Sequence, residues 1–280
     1  MAQSKSKPTK AAAQQLARQQ AREEAARLKA AQAAKERRLK LISLGIGLGI
    51  VVAAVIVVVL VLQNTKGPGY ADVAAKPLGA NEAGSLVIGQ DLKPGGAPAA
   101  GDNVPVLRLY SDYMCPGCGE VDRRLATKLQ DLASNGEVKL EVQPVSFLDR
   151  LSQGTDYSTR AANAAFTVAQ YAPDQFLAFH NELFASDVQP KENTEGLSNE
   201  KLAEIAQSLG VPADVTDRFE AGEFNSWVDY TTGQAQKQPV ETTPSMWLGT
   251  SDDDLTLIDN PISIDLDTAI ARVNKGQDPN

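Results

Sequence analysis

Two cysteines, Cys115 and Cys118, are the residues whose type and spacing point most directly to chemistry in this chain. They are the only cysteines among 280 residues, and they enclose Pro116 and Gly117. A zinc site needs about four ligands, which one such pair and a single histidine cannot supply. A structural disulfide across so short a loop would stabilise little. The spacing therefore favours a pair that forms and breaks a disulfide reversibly, with an inert surface disulfide as the alternative.

A helix that follows the first cysteine is expected to give the two sulfurs different roles. It is predicted over residues 116–133 by apolar side chains that share one face: Val121, Leu125, Leu129 and Leu132. Cys115 then lies at the helix N-terminus, where unpaired N–H groups and the helix dipole favour a thiolate. Pro116 suits the first turn because it has no N–H donor to lose. We expect Cys115 to be the nucleophile and the less exposed Cys118 to resolve the mixed disulfide.

The elements around this helix predict an α/β fold. A strand over 104–110, the helix and a strand over 137–145 form a βαβ unit, with the cysteines where the first strand passes into the helix. An earlier short strand is predicted over 85–89. Later elements are helices at 159–171, 174–184, 199–209 and 224–236, strands at 245–248 and 255–258, and a final helix at 264–273.

Residues 41–62 carry no charge and predict a transmembrane helix. As a helix they would extend roughly 33 Å, which matches a hydrocarbon core of about 30 Å. Eleven Lys and Arg against three Glu precede this segment, a balance of +8, so the remainder of a chain of net charge −8 carries −16. The positive-inside rule then places the N-terminus in the cytoplasm and the C-terminal 218 residues outside. A cleaved signal peptide is the alternative, although its apolar region should be shorter, about 7–15 residues.

The organisation expected from these features has six parts. They are a basic cytoplasmic tail at 1–40, the transmembrane helix at 41–62, a flexible linker at 63–83, the first part of an α/β domain at 84–157, a helical insertion at 158–238 and the second part of that domain at 239–280. The tail is expected to be solvated, with contact to anionic membrane lipid or RNA as the alternative. The charge of −16 beyond the membrane segment argues against nucleic-acid binding there.

The stretch VPVLRLYSDYMCPGCGEV, with LVIG before it and ETTPSMWLG far downstream, resembles the DsbA-like branch of the thioredoxin superfamily, most closely the membrane-anchored actinobacterial members. The resemblance covers about residues 84–280. It implies a thioredoxin-like fold that a helical insertion splits. It also implies that Pro244 is cis and packs against the active-site sulfurs, and that the Thr243 backbone pairs with an extended substrate.

Two positions differ from the pattern of that family. Many DsbA-like oxidases have a histidine between the cysteines, where this chain has Gly117; its one histidine, His180, is interpreted as structural. Leu109 replaces the buried acid that thioredoxin and the well-known DsbA carry six residues before the first cysteine. A proton acceptor for Cys118 must therefore come from elsewhere in the chain or from water.

The sequence thus predicts a membrane-anchored, extracytoplasmic oxidase that accepts electrons from cysteine pairs of unfolded exported proteins. By resemblance, a quinone-linked membrane protein of the DsbB or vitamin K epoxide reductase kind would reoxidise it, and neither a bound cofactor nor a metal is expected. A reductase or disulfide isomerase with the same fold is the main alternative, which Gly117 favours modestly. A non-catalytic adaptor that binds extended segments beside Pro244 is the third.

Overall fold

A computed structural model describes residues 69–99, 101, 104–238, 240 and 242–280, together with the single positions Lys29 and Val55. The predicted membrane segment at 41–62 lies outside these residues, apart from Val55. Within the described part of the chain, no helix is both long and apolar enough to cross a membrane.

The strands and helices follow the predicted order. The strands are β1 (Leu86–Ile88), β2 (Val106–Ser111), β3 (Lys139–Pro144), β4 (Ser245–Gly249) and β5 (Leu255–Leu257). The helices are α1 (Pro116–Ser134), α2 (Tyr157–Tyr171), α3 (Phe176–Glu182), α4 (Asn199–Ser208), α5 (Ala213–Thr216), α6 (Asn225–Lys237) and α7 (Leu266–Val273). Helices α2 to α6 all fall between β3 and β4, as the predicted insertion requires.

The five strands form one mixed sheet in the order β1-β3-β2-β4-β5. Strands β2 and β3 are parallel, while the β1–β3, β2–β4 and β4–β5 pairs are antiparallel. The sheet and helices give the thioredoxin-like α/β fold that the resemblance implies. The βαβ unit β2-α1-β3 lies at its centre and carries the cysteine motif at the end of β2.

Both faces of β2 are buried, which explains why its sequence alternates only in part. Leu107 and Leu109 belong to the main core, together with the apolar face of α1. Each leucine buried in this way contributes roughly 2 kcal/mol relative to an exposed one. On the opposite face, Tyr110 packs with Trp247 in a second cluster. The central strand is thus fixed from both sides, and so is the position of the cysteines that follow it.

The bounds of several elements differ by up to two residues from the sequence-based prediction; α2, for example, begins at Tyr157 and β3 at Lys139. The helix predicted over 174–184 begins as a 3-10 turn at Pro173–Gln175 before α3. Helix α7 begins two residues later than predicted, because Asp265 is its N-cap and accepts a hydrogen bond from the Thr268 N–H. The four-residue helix α5 was not predicted, since it is too short to show a helical period.

The segment predicted as a flexible linker is packed on the fold from residue 69 onward. Tyr70–Asp72 forms a 3-10 turn, and the Tyr70 ring lies edge-on to Trp227 with 6.2 Å between ring centroids. Val73 is buried in the main core. Isolated apolar residues among glycines and prolines give no periodic signal, so their docking cannot be predicted from the sequence.

Candidate active site

The cysteine motif lies where β2 passes into α1. Helix α1 begins at Pro116, and Cys115 is its N-cap residue. The Gly119 N–H donates to the Cys115 carbonyl oxygen at 3.2 Å, which closes the first helical turn. Both cysteines are thiols in this structure. The predicted placement of Cys115 at the helix N-terminus is confirmed.

Cys115 is the more acidic of the two thiols. Its pKa is lowered from the usual 9.0 to about 7, chiefly because the Cys118 thiol hydrogen-bonds to its sulfur. Hydrogen bonds from the Thr243 side chain and from the Cys118 backbone act in the same direction, whereas burial and the negative charge of Asp112 raise the pKa. At neutral pH a large fraction of Cys115 is therefore a thiolate, the form that attacks and leaves in disulfide exchange.

Cys118 is buried more deeply than Cys115, and its pKa shifts in the opposite direction. Only 2% of its surface is exposed, and burial raises its pKa well above the usual value. The Asp112 N–H donates to its sulfur at 3.4 Å. A thiol that is buried and weakly acidic cannot meet a large substrate, but it can displace a substrate from the neighbouring sulfur. This environment agrees with the resolving role expected for Cys118.

The loop before β4 closes the site from the other side. The Thr243–Pro244 peptide bond is cis, as the resemblance implies. The Cys115 thiol donates to the Thr243 carbonyl oxygen at 3.2 Å. Gly117 packs directly on Pro244, because a Cβ added at Gly117 would lie 3.0 Å from Pro244 Cδ and 3.8 Å from Cys115 Sγ. The structure thus brings Cys115, Gly117, Thr243 and Pro244 together, although they come from distant parts of the chain.

A groove of about 180 Å³ opens beside Cys115. It is lined by Cys115, Phe147, Leu148, Arg150, Glu192, Thr242 and Thr243. Phe147 and Leu148 are half-buried and give it apolar surface, whereas the charged Arg150 and Glu192 are exposed. Cys118 does not line it. A polypeptide that enters the groove would therefore meet the acidic sulfur and not the buried one.

Asp112 is a fully buried carboxylate beside the two thiols. Its carboxyl oxygens accept hydrogen bonds from the Met114 N–H at 2.9 Å, the Leu148 N–H at 2.9 Å and the Ser158 hydroxyl at 2.6 Å. Burial nevertheless raises its pKa from 3.8 to about 6. Asp112 ties the cysteine loop to the groove residue Leu148 and to helix α2.

Gln189 fixes the cysteine loop from the segment between α3 and α4. Its amide nitrogen donates to the Cys115 carbonyl oxygen at 2.8 Å. The Arg123 guanidinium donates to the Gln189 amide oxygen at 3.4 Å and to the Phe184 carbonyl oxygen at 2.5 Å. The sequence does not reveal Gln189, because it lies far from the motif in a segment with no periodic pattern. Asp112 gives a weak signal, as an acid that follows a buried strand.

His180 is buried and hydrogen-bonded, as its structural interpretation predicts. Its Nδ1 lies 2.8 Å from the Tyr113 hydroxyl oxygen, and burial lowers its pKa from 6.5 to about 4. Among the residues that the structure describes, no group of three or more His, Cys, Asp or Glu could hold a metal ion.

Comparisons with known proteins agree with this geometry. A family model described as thioredoxin matches residues 96–255. Oxidised DsbA of Mycobacterium tuberculosis is 27% identical, with a TM-score of 0.55 over 68% of this chain and 92% of that one. The disulfide bond oxidoreductase DsbG of the same organism is 29% identical, with a TM-score of 0.51 over 60% and 77% of the two chains.

Two further matches are more limited, the first in sequence identity and the second in the length that it covers. MdbA, a thiol-disulfide oxidoreductase of Actinomyces oris, shares the fold at 21% identity, with a TM-score of 0.54 over 77% of this chain and 96% of that one. The serine/threonine-protein kinase PknE of Mycobacterium tuberculosis is 30% identical over 118 residues, which are 41% of this chain. The match spans about a fifth of that protein's length, 21%. This chain belongs to the thioredoxin family, and it is a thiol-disulfide oxidoreductase of the DsbA type.

Proposed function

We propose that this chain is a membrane-anchored, extracytoplasmic oxidase that forms disulfides in exported proteins through Cys115 and Cys118. The observation that carries the proposal is the contrast between the two thiols. Cys115 has a pKa of about 7 and borders an open groove, whereas Cys118 is buried and its pKa is raised. Such a pair can exchange disulfides with a large polypeptide at one sulfur only.

The reaction proceeds in two exchanges. A substrate thiolate attacks the Cys115 sulfur of the oxidised pair, so that a mixed disulfide forms and Cys118 leaves as a thiolate that takes up a proton. A second substrate thiolate then attacks the substrate sulfur of the mixed disulfide, and Cys115 leaves. The substrate loses two electrons and gains a disulfide, while the enzyme gains the two electrons and ends as a dithiol.

The neighbouring residues have supporting roles in this proposal. Pro116 starts helix α1 without an unpaired N–H group, and Gly117 leaves room for Pro244 against the motif. The Thr243 backbone, at the wall of the groove, pairs with an extended substrate segment. Unfolded exported proteins with cysteine pairs are suitable partners, because their backbone is still free to pair in this way.

The sequence supports the proposed location, and the resemblance to DsbA-like proteins supports the proposed electron acceptor. The uncharged segment 41–62 and the basic residues before it support an anchor with the catalytic part outside the cytoplasm. A dithiol enzyme there must be reoxidised, and a quinone-linked membrane protein of the DsbB or vitamin K epoxide reductase kind fits that role. Cell fractionation tests the membrane location, and protease treatment of intact spheroplasts tests the orientation. Residues 69–280 should be digested, and their protection would contradict the proposed orientation.

Reduction or isomerisation of disulfides is the second candidate function, and one observation favours it. A Cys115 pKa of about 7 resembles that of thioredoxin, about 7, more than that of a strongly oxidising DsbA, about 3.5. A less stabilised thiolate makes the reduced form less favourable and the disulfide less oxidising. A third candidate, a non-catalytic adaptor, requires a cysteine pair that does not react with glutathione.

The deciding measurement is the reduction potential of the full-length chain, equilibrated with glutathione buffers in detergent. A potential of about −120 mV supports disulfide formation, whereas a potential of about −270 mV favours the reductase function.

The catalytic role of the cysteines is tested with variants. Oxidation of a reduced, unfolded protein should be lost in Cys115→Ala. The matched variant Cys118→Ala should instead accumulate mixed disulfides, and full activity of Cys115→Ala would refute the proposal.

A further inference from the structure

The proposed reaction leaves one proton without an obvious source. When the disulfide opens, Cys118 leaves as a thiolate in a site where burial disfavours negative charge. Leu109, on the strand beneath the motif, has no proton to give. An inference about this proton rests on the proposed function and deepens it.

Asp122 lies one helical turn after Cys118 on α1. Residues four apart on a helix share a face, with about 5–6 Å between their Cβ atoms. Cys118 is 2% exposed and Asp122 is 5% exposed, so this face of α1 is turned inward. A buried carboxyl group therefore follows the buried thiol by one turn on the same face of α1, and neither side chain lines the substrate groove.

Asp122 lines a small cavity that is partly open to solvent. Its volume is about 20 Å³, enough for one water molecule, which needs roughly 10–15 Å³. Asp122 and His180 line it together with apolar side chains of β2 and β3, among them Leu109. Gln130 and Asn181, both half-buried, form the side nearest to solvent.

The polar neighbours of Asp122 keep its carboxyl group available for a proton. His180 Nε2 lies 3.8 Å from Asp122 Oδ1, beyond direct hydrogen-bonding distance. The hydrogen-bond partners around Asn181 assign its amide the orientation in which the nitrogen faces acceptors. In this orientation the Asn181 nitrogen donates to Asp122 Oδ1 at 3.2 Å, and the Asn181 oxygen accepts from the Gln130 amide nitrogen at 2.8 Å. The Tyr113 ring packs on His180, and its hydroxyl bonds to the far nitrogen of that imidazole.

The surroundings of Asp122 keep a large fraction of its carboxyl group protonated near pH 7. Burial raises its pKa from 3.8 to about 7, and the charge of the neighbouring Arg123 on the same helix lowers it only in part. His180 cannot stabilise a negative Asp122, because burial keeps the imidazole uncharged above about pH 4. Asp112, the buried acid at the start of the cysteine loop, is less suitable, since three donors already bind its carboxyl oxygens.

We infer that Asp122 gives Cys118 its proton when the active disulfide opens, and takes it back when the disulfide forms again. In the oxidising direction the substrate thiolate bonds to the Cys115 sulfur, the Cys115–Cys118 bond breaks, and the Asp122 carboxyl proton moves to the Cys118 sulfur. The resulting carboxylate regains a proton from solvent through the cavity beside Gln130 and Asn181. No electron passes through Asp122, so the redox balance of the exchange is unchanged.

The test is the reduction of the oxidised full-length chain by dithiothreitol, followed by rapid alkylation of newly formed thiols between pH 6 and 9. Rates are divided by the thiolate fraction of dithiothreitol. The wild-type rate should fall at least about tenfold as pH rises, with a midpoint near 7, because Asp122 loses its proton. Asp122→Asn should be slow and independent of pH, and should equal the wild type near pH 9. Asp131→Asn, an exposed acid on the same helix, should keep the wild-type profile.

Two parallel profiles, or a wild-type midpoint that persists in Asp122→Asn, would overturn the inference and leave the proposed function intact. Failure of the oxidised wild type to react at any pH would instead refute both. Time-resolved infrared spectra after oxidised protein is mixed with dithiothreitol give a second measurement. A transient loss of a carboxyl C=O band at pH 7 that occurs in the wild type and not in Asp122→Asn supports the role of Asp122, whereas the same spectra in both proteins would contradict it.

Discussion

At the scale of single residues, the reactivity of Cys115 depends on its partner thiol more than on its position alone. The hydrogen bond from the Cys118 thiol is the largest of the effects that lower the Cys115 pKa to about 7. Burial opposes it, and only 6% of Cys115 is exposed. The resolving cysteine therefore has two roles, since it activates the nucleophile before it displaces the substrate.

Replacing Cys118 by alanine should raise the pKa of Cys115, because the strongest donor to its sulfur is removed. Cys118→Ser is the matched control, since its hydroxyl keeps a donor of similar size and should raise the pKa less. The pH dependence of Cys115 alkylation by iodoacetamide measures both values, and alkylation at pH 7 should be several-fold slower in Cys118→Ala. Equal Cys115 pKa values in wild type and Cys118→Ala would contradict this account.

How far the site can be predicted also differs among residues. Cys115, Cys118 and Pro116 are identified by local spacing, because helix termini impose local rules on the residues near them. Thr243 and Pro244 are found only through resemblance, since an X-Pro pair before a strand has no specific meaning alone. Asp122 follows the helical period of Cys118, but its importance depends on a cavity that α3 and the sheet complete.

At the scale of elements, helix α1 is the best predicted part of the fold. Its four apolar residues at helical spacing all lie in the core. The contacts that hold its N-terminus could not be predicted, because they come from the irregular segment between α3 and α4. There, Gln189 bonds to the Cys115 carbonyl oxygen, and Gly119 leaves the space that the Gln189 side chain occupies.

Gly119→Ala should therefore destabilise the protein, although alanine favours a helix by about 1 kcal/mol over glycine. A Cβ at this position would lie 2.1 Å from Gln189 Oε1, so the amide must move away from the Cys115 carbonyl oxygen. Moving the amide breaks its hydrogen bond to the Cys115 carbonyl oxygen and its contact with the Arg123 guanidinium, at roughly 0.5–1.5 kcal/mol for each. Urea unfolding should show a net loss of about 1 kcal/mol, with slower disulfide exchange.

The double variant separates this mechanism from simple crowding. In a Gln189→Ala background the contact with Gln189 is absent, and only the flexible Arg123 guanidinium, 2.6 Å from the added Cβ, has to shift. Gly119→Ala should therefore cost clearly less stability in that background than in the wild type, so the effects of the two substitutions are not additive. If Gly119→Ala has the same effect in both backgrounds, the Gln189 contact does not hold the helix terminus.

At the scale of the whole molecule, three buried titratable groups make stability depend on pH in opposite directions. Burial raises the pKa of Asp112 to about 6 and that of Asp122 to about 7. Their neutral forms favour the folded state, so this contribution is complete below about pH 4 and is lost as pH rises through 6 to 7. Burial lowers the pKa of His180 to about 4, so its contribution is complete above about pH 6.5 and is lost as pH falls through 4.

His180→Gln should remove the second of these effects. Glutamine can keep a hydrogen bond to Tyr113 but takes up no proton, so the loss of stability between pH 6.5 and 4, roughly 3 kcal/mol in the wild type, should disappear. Urea unfolding at several pH values measures this loss of stability, and Asp122→Asn should still lose stability below pH 6.5 because His180 is present.

The pKa of His180 can also be measured directly by an NMR titration. His180 is the single histidine of the chain, so its imidazole signal needs no assignment. Asp122 is protonated near pH 4, where His180 titrates, so the Asp122 carboxyl group does not stabilise the imidazolium. A folded-state pKa of His180 near the usual 6.5 would contradict this account and show that the cavity admits more water than its volume suggests.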